Sequence, residues 1–309
     1  MEQNSLVLLG KKNLKWIRNI IPPLKKDEIL IKTIAGSISI GAELPQFMEN
    51  DITDPTPTYP KETGYESYGE IIDVGEEVKN LKIGDRVVAF YGHKDYGVTK
   101  EEKAIPVPNN LHYSHALLII LSCDSAKGVL KLNPKKTDKV LITGMGTMGL
   151  LTVYFLKNYF SVDYIDVVEP NSSRSDLARF LGANNVFKNG ISSPKDFYDY
   201  AIECSARNEA FKTLQQSIRK DGEICILSDG NKEKFELQPE FYIKELKIVG
   251  SSDGYDYRKH SEWYLNSVKE TGSLLKKIFE SKITKQEICR CFEELSEGRI
   301  NPLKILIEY

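Results

Sequence analysis

A glycine-rich turn in the middle of the chain constrains the fold more than any other feature. The apolar run Val140–Thr143, which is rich in β-branched residues, leads into the motif Gly144-Met-Gly146-Thr-Met-Gly149. Apolar residues then recur at helical spacing. This order predicts a strand, a tight turn and a helix. Such glycines permit the sharp bend, the approach of a pyrophosphate and close helix packing, and a helix N-terminus favours anions. We expect a dinucleotide to bind at Gly144, Gly146, Thr147, Met148 and Gly149.

A carboxylate follows the next apolar run at a distance that suits the same site. The run Tyr164–Val168 ends in Glu169, twenty positions beyond Gly149. A carboxylate at this position accepts both hydroxyls of an adenosine ribose, and it repels a 2′-phosphate. The sequence therefore favours NAD over NADP as the cofactor.

Strands and helices alternate regularly from Lys139 onward. Asn171 or Ser172 is expected to cap a helix that stops at Gly182. Four further strands are predicted, at Asn185–Phe187, Tyr200–Glu203, Glu223–Leu227 and Leu246–Gly250. Alternation of this kind predicts an α/β fold with a doubly wound parallel sheet.

The first hundred residues have a different pattern, with short apolar runs separated by Gly, Pro, Asn and Asp. The runs are Leu6–Leu9, Leu14–Ile17, Glu28–Ile34, Gly69–Val74 and Arg86–Phe90. They predict an all-β lobe, to which the final strand, Leu303–Ile307, is expected to return. Four prolines between Gly41 and Gly64 predict a loop without long regular elements over a cleft. The stretch from Val107 to Lys131 is predicted to be helical.

Composition excludes several function classes. The 42 basic and 44 acidic residues give a formal charge of −2, which favours neither a nucleic-acid nor a membrane partner. There is no apolar run of about 20 residues and no signal-peptide pattern, so we expect a cytoplasmic protein with a small-molecule substrate. The five cysteines form no CxxC pair and are expected to be buried free thiols.

Several motifs along the chain together resemble the medium-chain dehydrogenase/reductase superfamily, the zinc-type alcohol dehydrogenase-like proteins. The resemblance covers nearly the whole chain. The motifs that carry it are Gly64-Tyr-Glu66, Gly69-Glu-Ile, Val74-Gly75, Ile83–Val88, the glycine turn, Glu169 with Arg174, and Leu181-Gly182-Ala183. Ser37–Glu43 followed by Gly64-Tyr65-Glu66 is similar to the branch of bacteriochlorophyllide dehydrogenases, with Ala42 in place of a threonine.

The resemblance implies a Rossmann domain combined with a β-rich, GroES-like catalytic domain. Residues 1–117 and 255–309 are expected to form the catalytic domain and residues 118–254 the Rossmann domain, with the catalytic cleft between them. The resemblance implies that Arg174 lies over the adenine, and the alternative is that Arg174 is simply exposed on its helix. The strand at Leu246–Gly250 lies at the edge of a dimer, so a homodimer is implied.

The resemblance also identifies the positions of zinc ligands, and two of them have changed. The cysteine position falls on Ser39 and the histidine position on Tyr65, whereas Glu66 and Cys123 fall where the family keeps a glutamate and a third ligand. The segment of four cysteines that holds a structural zinc in relatives is missing. We therefore expect zinc to be absent. A substitute metal set, if one exists, is Glu66, Cys123 and Glu43.

Without a metal, the oxygen that gains charge during hydride transfer needs another stabiliser. The phenol of Tyr65 and the ammonium of Lys127 are the two candidates, because the resemblance puts both beside the nicotinamide or substrate. Ser39 and Glu66 complete the predicted catalytic set. Surface or structural roles are expected for the remaining polar candidates, namely His93 in a turn, His112, His115, His260, and Asp124 on a helix surface or cap.

Three hypotheses remain open at this point. The first is a zinc-free NAD(H)-dependent oxidoreductase that transfers hydride between the nicotinamide and a carbonyl/alcohol or an activated C=C bond. The second is a zinc-dependent alcohol dehydrogenase with substituted ligands. The third is a non-catalytic NAD(H)-binding sensor. No motif identifies the substrate.

Overall fold

The computed structural model describes residues 1–254 and 257–309, and it divides into two compact units. One unit comprises Met1–Ile119 and Val268–Tyr309, and the other comprises Ile120–Ser267. The predicted domain boundary before residue 255 falls on residues 255 and 256, which lie outside the described residues. The assignment of a catalytic and a cofactor domain to these units stays a prediction.

The regular elements follow one another along the chain as listed here. The strands are β1 Glu2–Leu8, β2 Leu14–Ile20, β3 Glu28–Ile38, β4 Lys61–Glu62, β5 Ser67–Val74, β6 Arg86–Ala89, β7 Tyr96–Lys100, β8 Ile105–Val107, β9 Lys139–Thr143, β10 Tyr164–Val168, β11 Asn185–Phe187, β12 Tyr198–Glu203, β13 Ile218–Ile226, β14 Lys247–Gly250, β15 Phe279–Thr284 and β16 Lys304–Glu308. The α-helices are α1 Ile40–Met48, α2 Tyr113–Ala116, α3 Ile119–Leu132, α4 Thr147–Asn158, α5 Ser172–Leu181, α6 Asn208–Ser217, α7 Pro239–Ile243, α8 Tyr257–Leu275 and α9 Ile288–Ser296.

The Ile120–Ser267 unit contains a six-stranded sheet in the order β11-β10-β9-β12-β13-β14. Every neighbouring pair is parallel. The order reverses beside β9, and in a doubly wound sheet ligands bind at the carboxyl ends of the strands at such a point. The predicted Rossmann-type parallel sheet is confirmed.

The other unit is built on a seven-stranded sheet in which β15-β16-β3-β5-β6-β8 lie side by side and β7 pairs with β3. The last strand, β16, pairs antiparallel with β3, which confirms its predicted return to the N-terminal lobe. It also pairs in parallel with β15. Sequence analysis missed β15, because Phe279–Thr284 alternates half-buried and exposed residues and carries two charges.

Helix α1 corrects the prediction of a loop between Gly41 and Gly64. It runs from Ile40 to Met48 with Pro45 inside it. Pro45 removes one helix hydrogen bond, at a cost of about 3 kcal/mol. Burial of Phe47, whose ring centroid lies 5.3 Å from that of Phe292 in α9, offsets most of this cost. Tertiary packing therefore overrides the local signal, and between Gly41 and Gly64 the chain is irregular from Glu49 to Pro60 and at Thr63 and Gly64.

The predicted helical stretch from Val107 to Lys131 was too long. Strand β8 ends at Val107, and residues 108–112 are irregular. A turn at Leu117 and Leu118 then separates α2 from α3, which begins at Ile119. The helix after β10 is as expected, because Asn171 accepts a hydrogen bond from the Arg174 N–H and Gly182 ends the helix at φ +118°. No described helix is both long and apolar enough to cross a membrane.

Candidate active site

The three glycines of the turn after β9 differ in what surrounds them. Gly144 has φ +82°, and a Cβ atom on it would lie 2.7 Å from the Ser205 Cβ. A Cβ on Gly149 would lie 1.9 Å from the Gly144 carbonyl oxygen. A Cβ on Gly146 would meet no described atom within 4 Å. Internal packing thus requires two of the glycines, and the third leaves open space at the N-terminus of α4.

Glu169 is fixed against this turn. It is 4% exposed, and its carboxylate accepts hydrogen bonds from the Met145 N–H at 2.7 Å and the Asn171 N–H at 2.8 Å. Each carboxylate oxygen has a second lone pair, so two ribose hydroxyls can still be bound. The predicted juxtaposition of Glu169 with the glycine turn is therefore present within the Ile120–Ser267 unit.

A cluster of cations lies near the same edge, and sequence analysis recognised one member, Arg174. Burial lowers the pKa of Lys232, and the positive charges of Arg207 and Arg174 lower it further. Such mutual influence requires the three groups to be near one another. Arg207 also forms an ion pair with Glu233 at 2.7 Å. The cations attract phosphate, whereas Glu169 disfavours a 2′-phosphate.

A second buried carboxylate, Glu203 at the end of β12, was missed. It is fully buried and accepts hydrogen bonds from the Ser205 N–H at 2.7 Å, the Ser205 hydroxyl at 2.5 Å and the Ala206 N–H at 3.2 Å. The Ser228 hydroxyl donates to Glu203 Oε2, which also accepts from the Ala206 N–H. Glu203 therefore joins the loops that follow β12 and β13, and a role of this kind has no sequence signature.

In the other unit, the residues at the two changed ligand positions lie together. The Tyr65 hydroxyl donates a hydrogen bond of 2.5 Å to the Ser39 hydroxyl oxygen. Ser39 precedes α1, and its N–H donates to Glu43 Oε1 at 2.8 Å. Glu43 Oε2 lies 2.9 Å from His93 Nε2. Of the two roles expected for His93, surface or structural, the geometry agrees with the structural one, since His93 is 1% exposed and paired with Glu43.

Glu66, the next residue after Tyr65, points into a buried ion pair. It is fully buried, its Oε2 lies 2.5 Å from Lys304 Nζ, and it accepts a hydrogen bond from the Ser37 hydroxyl. Burial raises the pKa of Glu66, and the Lys304 ammonium opposes this rise. Glu66, which directly precedes β5, thus connects the start of β5 to β16.

The substitute metal set does not form. Among residues 1–254 and 257–309, no group of three or more His, Cys, Asp and Glu side chains is arranged to hold a metal ion. Glu43 and Glu66 are engaged by His93 and Lys304. Cys123 belongs to the other unit, where it is 3% exposed and donates to the Tyr257 carbonyl at 3.7 Å.

The other candidates on α3 are held by the chain that follows β14. Lys127 Nζ donates to the Asp253 carbonyl oxygen at 2.5 Å. Asp124 is 9% exposed rather than on a surface, and its Oδ1 accepts from the Gly254 N–H at 2.5 Å and the Tyr257 hydroxyl at 2.9 Å. Asp124 therefore caps this segment.

This chain is similar to known proteins in sequence and in fold. Residues 25–109 match the alcohol dehydrogenase GroES-like domain. The (R,R)-butanediol dehydrogenase of Bacillus subtilis strain 168 is 28% identical over 253 residues, which cover 70% of this chain and 71% of that protein. The chloroplastic NADPH-dependent alkenal/one oxidoreductase of Arabidopsis thaliana is 27% identical over 216 residues, which cover 64% of this chain. That match spans about half, 55%, of the Arabidopsis protein.

Solved structures share the fold over the whole chain. Acetophenone reductase from Geotrichum candidum NBRC 4597, in complex with NAD, superposes with a TM-score of 0.85 at 17% identity. The superposition covers 100% of this chain and 97% of that one. At this identity the similarity concerns the fold alone.

Proposed function

We propose that the chain is a medium-chain dehydrogenase/reductase of the alcohol dehydrogenase-like type, and that it is a nicotinamide-dependent oxidoreductase that works without zinc. Its substrate is a carbonyl/alcohol pair or an activated C=C bond. The observation that carries the proposal is the open space at Gly146 beside the buried Glu169 carboxylate, since together they fit a dinucleotide. The closer similarity to bacteriochlorophyllide dehydrogenases stays a prediction.

NAD(H) is the proposed cofactor, held at the N-terminus of α4 by the predicted glycine-turn residues. Glu169 supports this preference, because a carboxylate that is already close to the turn repels a 2′-phosphate. The cations around Lys232 reduce the discrimination. The Arabidopsis relative is named for NADPH and the Geotrichum reductase is bound to NAD, so both cofactors occur among similar proteins.

Tyr65 is the proposed proton donor, and Ser39 is its partner. The nicotinamide, when bound, supplies or accepts the hydride. In reduction, the Tyr65 hydroxyl hydrogen turns from the Ser39 oxygen to the substrate atom that gains charge, and this proton passes to that atom. The Ser39 hydroxyl, 2.5 Å away, orients the phenol and hydrogen-bonds the phenolate that remains. In alcohol oxidation the same groups remove the proton. Lys127, whose ammonium donates to the Asp253 carbonyl, stays the second candidate for this role.

The residues at the ligand positions do not fit zinc, which is why the proposal omits it. A catalytic zinc needs three protein N, S or O ligands in a fixed arrangement. Here two of the positions hold hydroxyl groups that hydrogen-bond to each other. Glu66 is paired with the Lys304 ammonium.

We further propose a cytoplasmic homodimer formed through β14. This strand lies at the edge of the six-stranded sheet, and an uncovered edge strand readily pairs with another strand. Tyr242 and Ile243 in the neighbouring helix α7 are 71% and 74% exposed, so a second copy would cover apolar surface. All five cysteines are free thiols, which suits a reducing compartment, although Cys204 and Cys289 are half-buried rather than buried.

The proposal is tested with a panel of ketones, aldehydes and enones on metal-analysed protein. We expect turnover with NADH, less than 0.1 zinc per chain, and no loss of activity on chelation. Tyr65→Phe should lower kcat about 100-fold or more with little change in NADH affinity, whereas Ser39→Ala should lower it about tenfold. One tightly held zinc per chain with chelation-sensitive activity would overturn the zinc-free mechanism. NADH binding without turnover, unaffected by Tyr65→Phe, would indicate the sensor.

A further inference from the structure

A cavity of about 250 Å³ lies among helices α3, α4 and α8 of the Ile120–Ser267 unit. Rings of Phe155, Tyr159 and Trp263 form its apolar walls, and Lys127 and Lys259 contribute the two cations. An apolar cavity of about 150 Å³ is large enough to hold benzene. This cavity therefore has room for one aromatic ring with a short polar substituent.

The cavity is distinct from the proposed cofactor site. Phe155 lies nine residues beyond Gly146 in the sequence, and α4 begins at Thr147. At 1.5 Å per residue, this distance is roughly 13 Å along the helix axis. Because α4 returns antiparallel to β9, its C-terminal half lies away from the carboxyl ends of the strands, where a dinucleotide binds.

The aromatic walls are in contact with one another. The Phe155 and Trp263 ring centroids are 5.0 Å apart with an interplanar angle of 85°, and those of Tyr159 and Trp263 are 5.4 Å apart, also at 85°. Phe155 and Tyr159 stack at 4.7 Å. Edge-to-face and stacked rings support one another. A planar ligand would consequently meet a wall that needs little reorganisation.

The charge of the lining is positive. The described lining residues include two lysines and no carboxylate. His260, which also lines the cavity, stays neutral at pH 7 because burial lowers its pKa to about 4, and its Nε2 lies 2.9 Å from the Ser122 hydroxyl. The Lys127 ammonium also donates to the Asp253 carbonyl.

We propose that this cavity binds a small aromatic carboxylate, whose ring packs against Tyr159 and Trp263 and whose carboxylate interacts with Lys127 and Lys259. The ring shape selects an aromatic group over an aliphatic one. The lysines select an anion over its neutral amide. The proposed proton donor Tyr65 and its partner Ser39 take no part in this site.

Trp263 gives a direct readout, since the chain has two tryptophans and the other is Trp16 in the other unit. In Trp16→Phe, the remaining fluorescence reports the cavity. Titration with phenylacetate should quench it to saturation, whereas phenylacetamide, of equal size but uncharged, should bind at least tenfold more weakly. Acetate should have no effect. Lys259→Gln in the same background should weaken phenylacetate binding about tenfold.

Calorimetric titration of the unaltered chain provides the second measurement, with one phenylacetate site of the same affinity expected. NADH affinity should be the same with and without saturating phenylacetate. Absence of saturable binding in both assays would refute the site. Equal affinity for acid and amide, or an unchanged affinity in Lys259→Gln, would refute recognition of the carboxylate. Competition between phenylacetate and NADH would assign the cavity to the cofactor site and overturn the proposal.

Discussion

The glycine turn after β9 and the Ser39–Tyr65 pair differ in what determines their geometry. The turn is determined locally, by a positive φ at Gly144 and by a Gly149 backbone that leaves no room for a Cβ. The pair is determined by tertiary structure, because Ser39 and Tyr65 are 26 positions apart, and the neighbouring Glu66–Lys304 pair spans 238 positions. Spacing in the sequence therefore specifies the first region, whereas only the folded chain assembles the second.

If the second region depends on distant contacts, breaking the Glu66–Lys304 pair should have the largest effect. Lys304→Met leaves a fully buried carboxylate without its cation, so we expect the free energy of unfolding to fall by about 3–5 kcal/mol. Chemical denaturation measures this change. The double variant Glu66→Leu/Lys304→Met is the control, and it should recover most of the loss because no charge is left buried. A single variant as stable as the parent would mean that Glu66 is protonated without any need for Lys304.

The glycine turn offers a matched pair of substitutions that separates folding from binding. Gly149→Ala brings a Cβ to 1.9 Å from a backbone oxygen, so we expect about 2–3 kcal/mol of destabilisation and loss of NADH binding. Gly146→Ala meets no described atom within 4 Å, so its melting temperature should stay within about 1 °C of the parent. Its NADH affinity should nevertheless fall at least tenfold. Unchanged affinity in Gly146→Ala would contradict the phosphate position.

The extent of sequence-based prediction follows the same division. Glu169 and the β9–turn–α4 unit were predictable, because strand period, glycine spacing and helix capping are local signals. Helix α1 was not, since the local effect of Pro45 is outweighed by the packing of Phe47 on Phe292. Glu203 and His93 gave no signal either. A buried polar residue is recognised by its partners, and their distances along the chain have no fixed period.

Substitution of Glu169 tests whether one side chain beside the glycine turn controls the choice between NADH and NADPH. Glu169→Ala removes the carboxylate and leaves Arg174, Arg207 and Lys232 in place. We expect NADH to bind about tenfold more weakly and NADPH to bind as well as NADH or better. Fluorescence titration with both nucleotides measures the ratio. The Ser173→Ala variant is the control for α5, where Ser173 is exposed and bonded to Asn171. An unchanged preference for NADH would mean that the turn alone discriminates.

The smallest expected effect concerns His260, which lies in the same unit as the glycine turn and should influence stability without affecting the turn. Burial lowers the pKa of His260 from 6.5 to about 4, so between these values the unfolded chain binds a proton that the folded chain does not. The His260 contribution is therefore fully present above pH 6.5 and is lost as the pH falls toward 4. Between pH 7 and pH 6 it lowers the free energy of unfolding by about 0.7 kcal/mol. Denaturation at both pH values should show this difference in the parent and lose it in His260→Gln, while NADH affinity changes equally in the two proteins. If the variant retained the full pH dependence, His260 would be protonated as readily in the folded chain as in the unfolded one, and the aromatic contacts with Phe155 and Trp263 would not exclude water from it.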